Sequence, residues 1–249
     1  VNEHPWRAPN RRPPVVLVPG FSGRTGEDFP FLLPMLERRH RVVSVDFTTP
    51  GVHTLGDLVS RIGVAVARCD EPPAVVGYSL GGVAAAAFAA QQPAALSSLA
   101  VVAGWMTPAP KLGAFAGLWA ELQAERSAAL AAAARQALYS ADGWDSARPP
   151  LVDDIAARLV ALGSTLDVSA MAPGIAVPTL VVGCASDEVA TTWQSKLLFG
   201  AIADARYAQI DAGHAVVHER PAELLAVLGA FLTEPTRYPA GTLIGEDRP

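Results

Sequence analysis

Several residue types and patterns that mark common protein classes are scarce or missing here. Among 249 residues there are two cysteines, Cys69 and Cys184. They form no disulfide framework, and reduced buried thiols are the expected state. No apolar run reaches the roughly eighteen residues that a membrane helix needs, so no membrane association is expected. Basic charge is also short. A formal net charge of -5 and an isoelectric point near 5.5 argue against nucleic acid as a partner. The one basic cluster, Arg38, Arg39, His40 and Arg41, falls between a helix and a strand and reads as a solvated turn. There are no internal repeats. His214 and His218 stand four apart, but His-Ala-Val-Val-His-Glu is not the zincin order, so no metal is expected. Residues 1–14 are polar, basic and proline-rich and lack the apolar core of a secretion signal; a leader removed before Val1 stays open. Together these absences point to a soluble cytoplasmic protein.

What is present is more pointed. Gly77-Tyr78-Ser79-Leu80-Gly81 is a G-x-S-x-G pattern. Ala74-Val75-Val76 before it reads as a short buried strand, and Val83 to Ala90 after it as an alanine-rich helix. A serine at that junction rides a tight strand-to-helix turn, where flanking glycines let neighbouring backbones pass without a Cβ clash. Its hydroxyl then stands at the carboxyl edge of a sheet, with the Leu80 N–H aimed where an oxyanion would form.

Two later segments have matching form. Pro178-Thr179-Leu180-Val181-Val182-Gly183 is a proline-bounded apolar run followed by Cys184-Ala185-Ser186-Asp187. Arg206-Tyr207-Ala208-Gln209-Ile210 is followed by Asp211-Ala212-Gly213-His214. Each reads as a strand and a short loop that delivers one polar side chain to the same sheet edge. Asp187 would hold the His214 imidazole in the tautomer that accepts the serine proton. Other roles compete: Asp187 as a helix N-cap ahead of Thr191-Thr192-Trp193, Glu188 as the acid, and His214 as a capping or packing histidine.

With nucleophile, acid and histidine in that order, the chain resembles the α/β-hydrolase superfamily from about Val15 to Leu232. Val16 to Gly23 is similar to the family's first-strand loop, with Pro19-Gly20 where His-Gly is usual. The resemblance implies a second oxyanion donor, the Phe21 N–H, beside that of Leu80. Val42 to Phe47 resembles the next strand, although the arginine of the family's Asp-x-Arg-Gly run is absent. The implied catalytic set is Ser79, Asp187 and His214, with no cofactor and a small-molecule substrate. A serine at position 79 argues against the dehalogenase and epoxide-hydrolase branches.

A 51% hydrophobic content suits one sizeable core at this length. The expected fold class is α/β: a mostly parallel sheet of about six strands, with helices on both faces. Residues 15–103 and 175–232 form the core, after an N-terminal arm at 1–14. From Gly104 to Gly174 the pattern is helical only, and roughly seventy residues exceed what a βαβ crossover requires. This segment, 104–174, fits an all-helical lid over the catalytic edge. Residues 233–249 read as a tail along the surface or disordered.

Candidate substrate walls are Tyr78, Trp105, Met106, Phe115 and Trp119; Phe115 and Trp119 recur at helical spacing and serve core packing equally well. The expected site is apolar and uncharged, without an arginine clamp. It suits an ester or lactone of small to medium size, hydrolysed through an acyl-enzyme. Thioester hydrolysis, acyl transfer and perhydrolysis use the same parts. A lyase or cyclase, and a ligand-binding member without turnover, are further alternatives. Oligomeric state is open.

Overall fold

A computed structural model describes residues 12–49, 51–144 and 148–244. Most of the expected N-terminal arm and the last residues of the expected tail therefore lie outside the described residues. The described chain forms a single seven-stranded sheet in the order β2-β1-β3-β4-β5-β6-β7, with every pairing parallel.

The strands are β1 (Val15–Val18), β2 (Val42–Ser44), β3 (Ala74–Tyr78), β4 (Ser98–Val102), β5 (Thr179–Cys184), β6 (Ala205–Ile210) and β7 (Leu243–Ile244). The central strands are short, apolar and buried along their whole length, as parallel strands covered on both faces must be. Side chains alternate between two cores. Val16, Val18, Val75 and Val101 join the cluster on one face, while Val15, Leu17, Val76 and Val102 join the other. The helices before the fourth strand are α1 (Thr25–Asp28), α2 (Leu32–Glu37), α3 (Leu55–Val66) and α4 (Leu80–Gln91). α4 is buried nearly all round, so alanine takes the place of the usual amphipathic stripe.

One strand was not expected. β7 adds to β6 through Tyr207↔Leu243 and Ala208↔Ile244, which makes seven strands rather than about six. Two residues are too short to show any periodicity, and only the exposed edge of β6 tells them where to pair. The tail expected at 233–249 is therefore partly strand.

Between β4 and β5 the chain builds α5 (Pro110–Ala124), α6 (Leu130–Leu138) and α7 (Asp154–Gly163) and no strand among the described residues. Pro110 takes the first helical position of α5, where its missing N–H costs nothing. Asp153 caps α7 by accepting the Ala156 N–H. The same aspartate pairs with Arg24 at 2.8 Å, and Arg158 donates to Phe47 O, so α7 is tied to loops of the sheet. α8 (Thr192–Ala201), α9 (Val216–Glu219) and α10 (Pro221–Thr233) complete the chain. Pro221 takes the first helical position of α10, and α9 is a separate short turn before it. No helix among the described residues is long and apolar enough to cross a membrane.

Candidate active site

The turn between β3 and α4 holds Ser79 at φ 55° and ψ −126°, a left-handed conformation that a serine adopts only under constraint. Its N–H donates to Val102 O at 2.8 Å, which pins the turn to the neighbouring strand. The flanking glycines are needed for space, not for φ. A Cβ on Gly77 would run into the backbone of Gly81 and Gly82, and one on Gly81 would strike the Pro19 carbonyl. Gly20 meets the same limit, since its Cβ would come within 2.9 Å of the Ser79 Cβ. The first-strand loop thus lies directly against the turn.

Ser79 Oγ stands 2.7 Å from His214 Nε2, and His214 Nδ1 stands 2.8 Å from Asp187 Oδ2. Asp187 uses its other oxygen to accept the Val189 and Ala190 N–H groups, at 2.8 and 2.7 Å. Asp187 is thus not the N-cap of α8, which is Thr191; its second oxygen closes the local turn at Val189 and Ala190 while the first holds the histidine. Glu188 points outward to an exposed ion pair with Lys111 at 3.0 Å. α8 begins at Thr192, beyond this turn.

Rings fix the imidazole. Phe21 stacks on His214 with centroids 5.9 Å apart, and Tyr78 lies tilted against it at 5.6 Å. The Tyr78 hydroxyl donates to His214 O at 3.0 Å. Burial first, then the nearby Asp28 and Asp187 carboxylates, raise the Tyr78 pKa well above its ordinary value, so the hydroxyl keeps its proton. The Phe21 and Leu80 N–H groups donate to no acceptor among the described residues. Leu80 directly follows Ser79, and Phe21 follows Gly20, which lies against the Ser79 side chain.

A cavity of about 280 Å³ opens beside this group, near the small end of ligand pockets. Phe21, Tyr78 and His214 form its base, and Trp119, Leu138, Tyr139 and Leu151 come from the α5–α7 region. Ser79 itself is fully buried beneath them. Of the five expected wall residues, Tyr78 and Trp119 line the cavity. Trp105, Met106 and Phe115 do not. Trp105 is fully buried and donates its indole N–H to Leu166 O, and Phe115 packs edge-on against Trp119 at 5.5 Å. Of the two residues at helical spacing, Phe115 serves packing and Trp119 lines the cavity.

The expectation of an uncharged wall is corrected by Glu27, Asp28 and Arg148, which line the cavity beside the polar His218. Arg148 was invisible as a site residue because it follows the α6 region by ten positions in a proline-rich connector. His218 stacks on Tyr139 at 6.4 Å. Burial, reinforced by the Arg148 charge, lowers its pKa to about 4, so the imidazole is neutral at pH 7. Asp28 moves the other way: burial raises its pKa to about 7, against the opposing pull of the Ser22 side chain, the Gly20 N–H and His214.

A hydroxyl bonded to an imidazole that is oriented by a carboxylate can be deprotonated as it attacks a carbonyl. Known proteins agree with the architecture. The enol-lactonase of Burkholderia xenovorans LB400 superposes with a TM-score of 0.78 over 92% of this chain and 94% of its own, at 24% identity, a likeness of fold. Pyrrolizixenacetamide deacetylase of Xenorhabdus hominickii is 26% identical over 241 residues, which cover 88% of this chain and 91% of that protein. A stretch of the polyketide synthase ThaQ of Burkholderia thailandensis is 30% identical over 91% of this chain, but it makes up only 12% of that much longer protein. Residues 15–227 match the model of the alpha/beta hydrolase family, and the chain belongs to that family.

Proposed function

We propose that this hydrolase is a serine esterase or lactonase that works through an acyl-enzyme. The observation that carries this reading is the unbroken line from Ser79 Oγ through His214 to Asp187, at 2.7 and 2.8 Å, on a serine held at φ 55°. Ser79 attacks the substrate carbonyl and His214 takes its proton. Asp187 steadies the resulting imidazolium and is not itself protonated. The Phe21 and Leu80 N–H groups receive the oxyanion, and one such donor is worth roughly 2.7–4 kcal/mol of barrier. His214 then protonates the leaving alcohol and activates the water that frees the acid. In a lactone the acid and the alcohol stay joined.

Helices α5–α7, within 104–174, act here as a lid. Trp119, Leu138 and Leu151 supply apolar surface for an acyl group of small to medium size. Because Ser79 is covered, substrate enters past Phe21 and the lid. Arg148 and His218 on the wall favour a substrate that also carries a polar group away from the scissile bond. A second reading, hydrolysis of an N-acyl bond, is favoured by the deacetylase relative and uses the same residues. The two unpaired cysteines, Cys69 and Cys184, suit a cytoplasmic setting.

The test is hydrolysis of a chain-length series of p-nitrophenyl esters by the native protein and by Ser79→Ala, with phosphonate labelling followed by intact mass. Turnover abolished by the substitution, with one adduct on Ser79, supports the reading, and the best chain length gives the pocket size. An adduct without ester turnover redirects the reading to amide, thioester or transfer chemistry. Neither adduct nor turnover removes it.

A further inference from the structure

One buried ionisable group on the cavity wall has no part in the chemistry above. Asp28, the last residue of α1, is only 7% exposed and accepts the Gly20 N–H at 2.6 Å. Burying a carboxyl is unfavourable unless its hydrogen bonds are worth the desolvation. Its partner sits at a sensitive place. The Pro19–Gly20 peptide is held at both ends: its carbonyl lies against Gly81 Cα, and its N–H is bound by Asp28. The following peptide, Gly20–Phe21, has its carbonyl fixed by the Gly23 N–H at 3.1 Å, which leaves the Phe21 N–H on the opposite side. Two consecutive peptide planes are therefore set, and the first depends on one side chain.

We propose that Asp28 is a positioning residue of this site: by gripping the Gly20 N–H it orients the first-strand loop so that the Phe21 N–H faces the oxyanion. This inference rests on the serine-hydrolase reading. Asp28 does not touch the reacting atoms and acts through the backbone. A neutral carboxyl still accepts through its carbonyl oxygen, so the grip survives protonation. An asparagine keeps an acceptor at the same reach, and an alanine does not.

The experiment compares native protein, Asp28→Ala and Asp28→Asn. Steady-state kinetics on p-nitrophenyl acetate are paired with amide hydrogen exchange over residues 17–24, and the melting temperature of each variant is recorded. With the loop released, kcat falls on the order of 10²-fold in the alanine variant, as for loss of one oxyanion donor. KM changes little, because the lost contact belongs to the transition state. Asparagine recovers at least tenfold of that loss. Exchange over 17–24 rises in the alanine variant and returns toward native in the asparagine variant.

The proposal is overturned if the folded alanine variant keeps kcat within threefold of native, or if asparagine loses as much as alanine. A role confined to stability would lower the melting temperature without this split between kcat and KM. If the native protein does not turn over the ester, the hydrolase reading fails separately, and the exchange experiment decides alone: unchanged exchange over 17–24 in the alanine variant refutes the grip. Should Asp28→Ala fail to fold, Asp28→Ser replaces it, since its hydroxyl is one atom too short to reach Gly20.

Discussion

The Tyr78 hydroxyl donates to the carbonyl of His214 at 3.0 Å and so joins the residue before Ser79 to the histidine 136 positions away in the chain. Their rings also touch, with centroids 5.6 Å apart. The Ser79 turn follows β3 and the His214 loop follows β6, and this contact holds them in one frame.

Tyr78→Phe keeps the ring and removes the donor. The His214 carbonyl is then left buried without that partner, at a cost of about 1–3 kcal/mol. A lower melting temperature is expected, with a drop in kcat of about tenfold and little change in KM. Calorimetry and ester kinetics on the same preparation check it, and a variant with native stability and rate contradicts it.

Asp187 and Glu188 are neighbours with different fates. Asp187→Asn presents an N–H or the wrong tautomer to His214, and kcat is expected to fall about 10³–10⁴-fold. Glu188→Gln breaks only an ion pair with Lys111 between two exposed side chains, and stability is expected to shift by about 0.5 kcal/mol or less. Equal losses of activity in the two variants would contradict the assignment.

Gly77→Ala and Gly81→Ala force a methyl group into backbone, because Gly77 faces Gly81 and Gly82 while Gly81 faces the Pro19 carbonyl. Each is expected to destabilise the fold by more than about 3 kcal/mol or to prevent folding. Gly113, inside α5, has open space where a methyl group would stand, with nothing within 4 Å, and Gly113→Ala is expected to stabilise by about 0.4–1 kcal/mol. Denaturant midpoints measure both directions.

Two cavity residues give stability opposite pH dependences. Unfolded, Asp28 ionises near pH 4; folded, it keeps its proton to about pH 7. The folded state binds the extra proton across that window, so raising the pH from about 4 to 7 removes stability. His218 has the reverse sign. Unfolded, it protonates near pH 6.5; folded, only at about 4. Its contribution is complete above about pH 6.5 and is lost as the pH falls toward 4. The melting temperature of Asp28→Asn relative to native is therefore expected to be more favourable at pH 8 than at pH 5. His218→Gln should flatten the acid side. Differences that do not vary with pH would refute both shifts.

Local signals in the chain were strong where one residue type has one use. Gly77 and Gly81 bracket a serine because no larger residue fits, so the turn was legible from five letters. The buried parallel strands showed as unbroken runs of valine, leucine and alanine, because both faces of the sheet are covered. The order of Ser79, Asp187 and His214 was legible because each ends a strand and the strands share one edge. The two-residue β7 was not, since it depends on a neighbour distant in sequence.

The cavity wall lay furthest from reach. Trp105 and Phe115 carry an apolar signal that is the same whether they face substrate or the core, and packing against Phe21 and Trp119 decided against the cavity. Arg148 and Asp28 sit in segments with no motif, and the spacing of His218 from His214 gave no sign that it faces the cavity. Sequence by itself determined the fold, the strand ends and the three residues that meet there, because backbone sterics and burial act on short stretches. Only the tertiary structure decided which side chains close over them, because α5–α7 and α9 reach the site from separate parts of the chain and no local rule fixes how they pack.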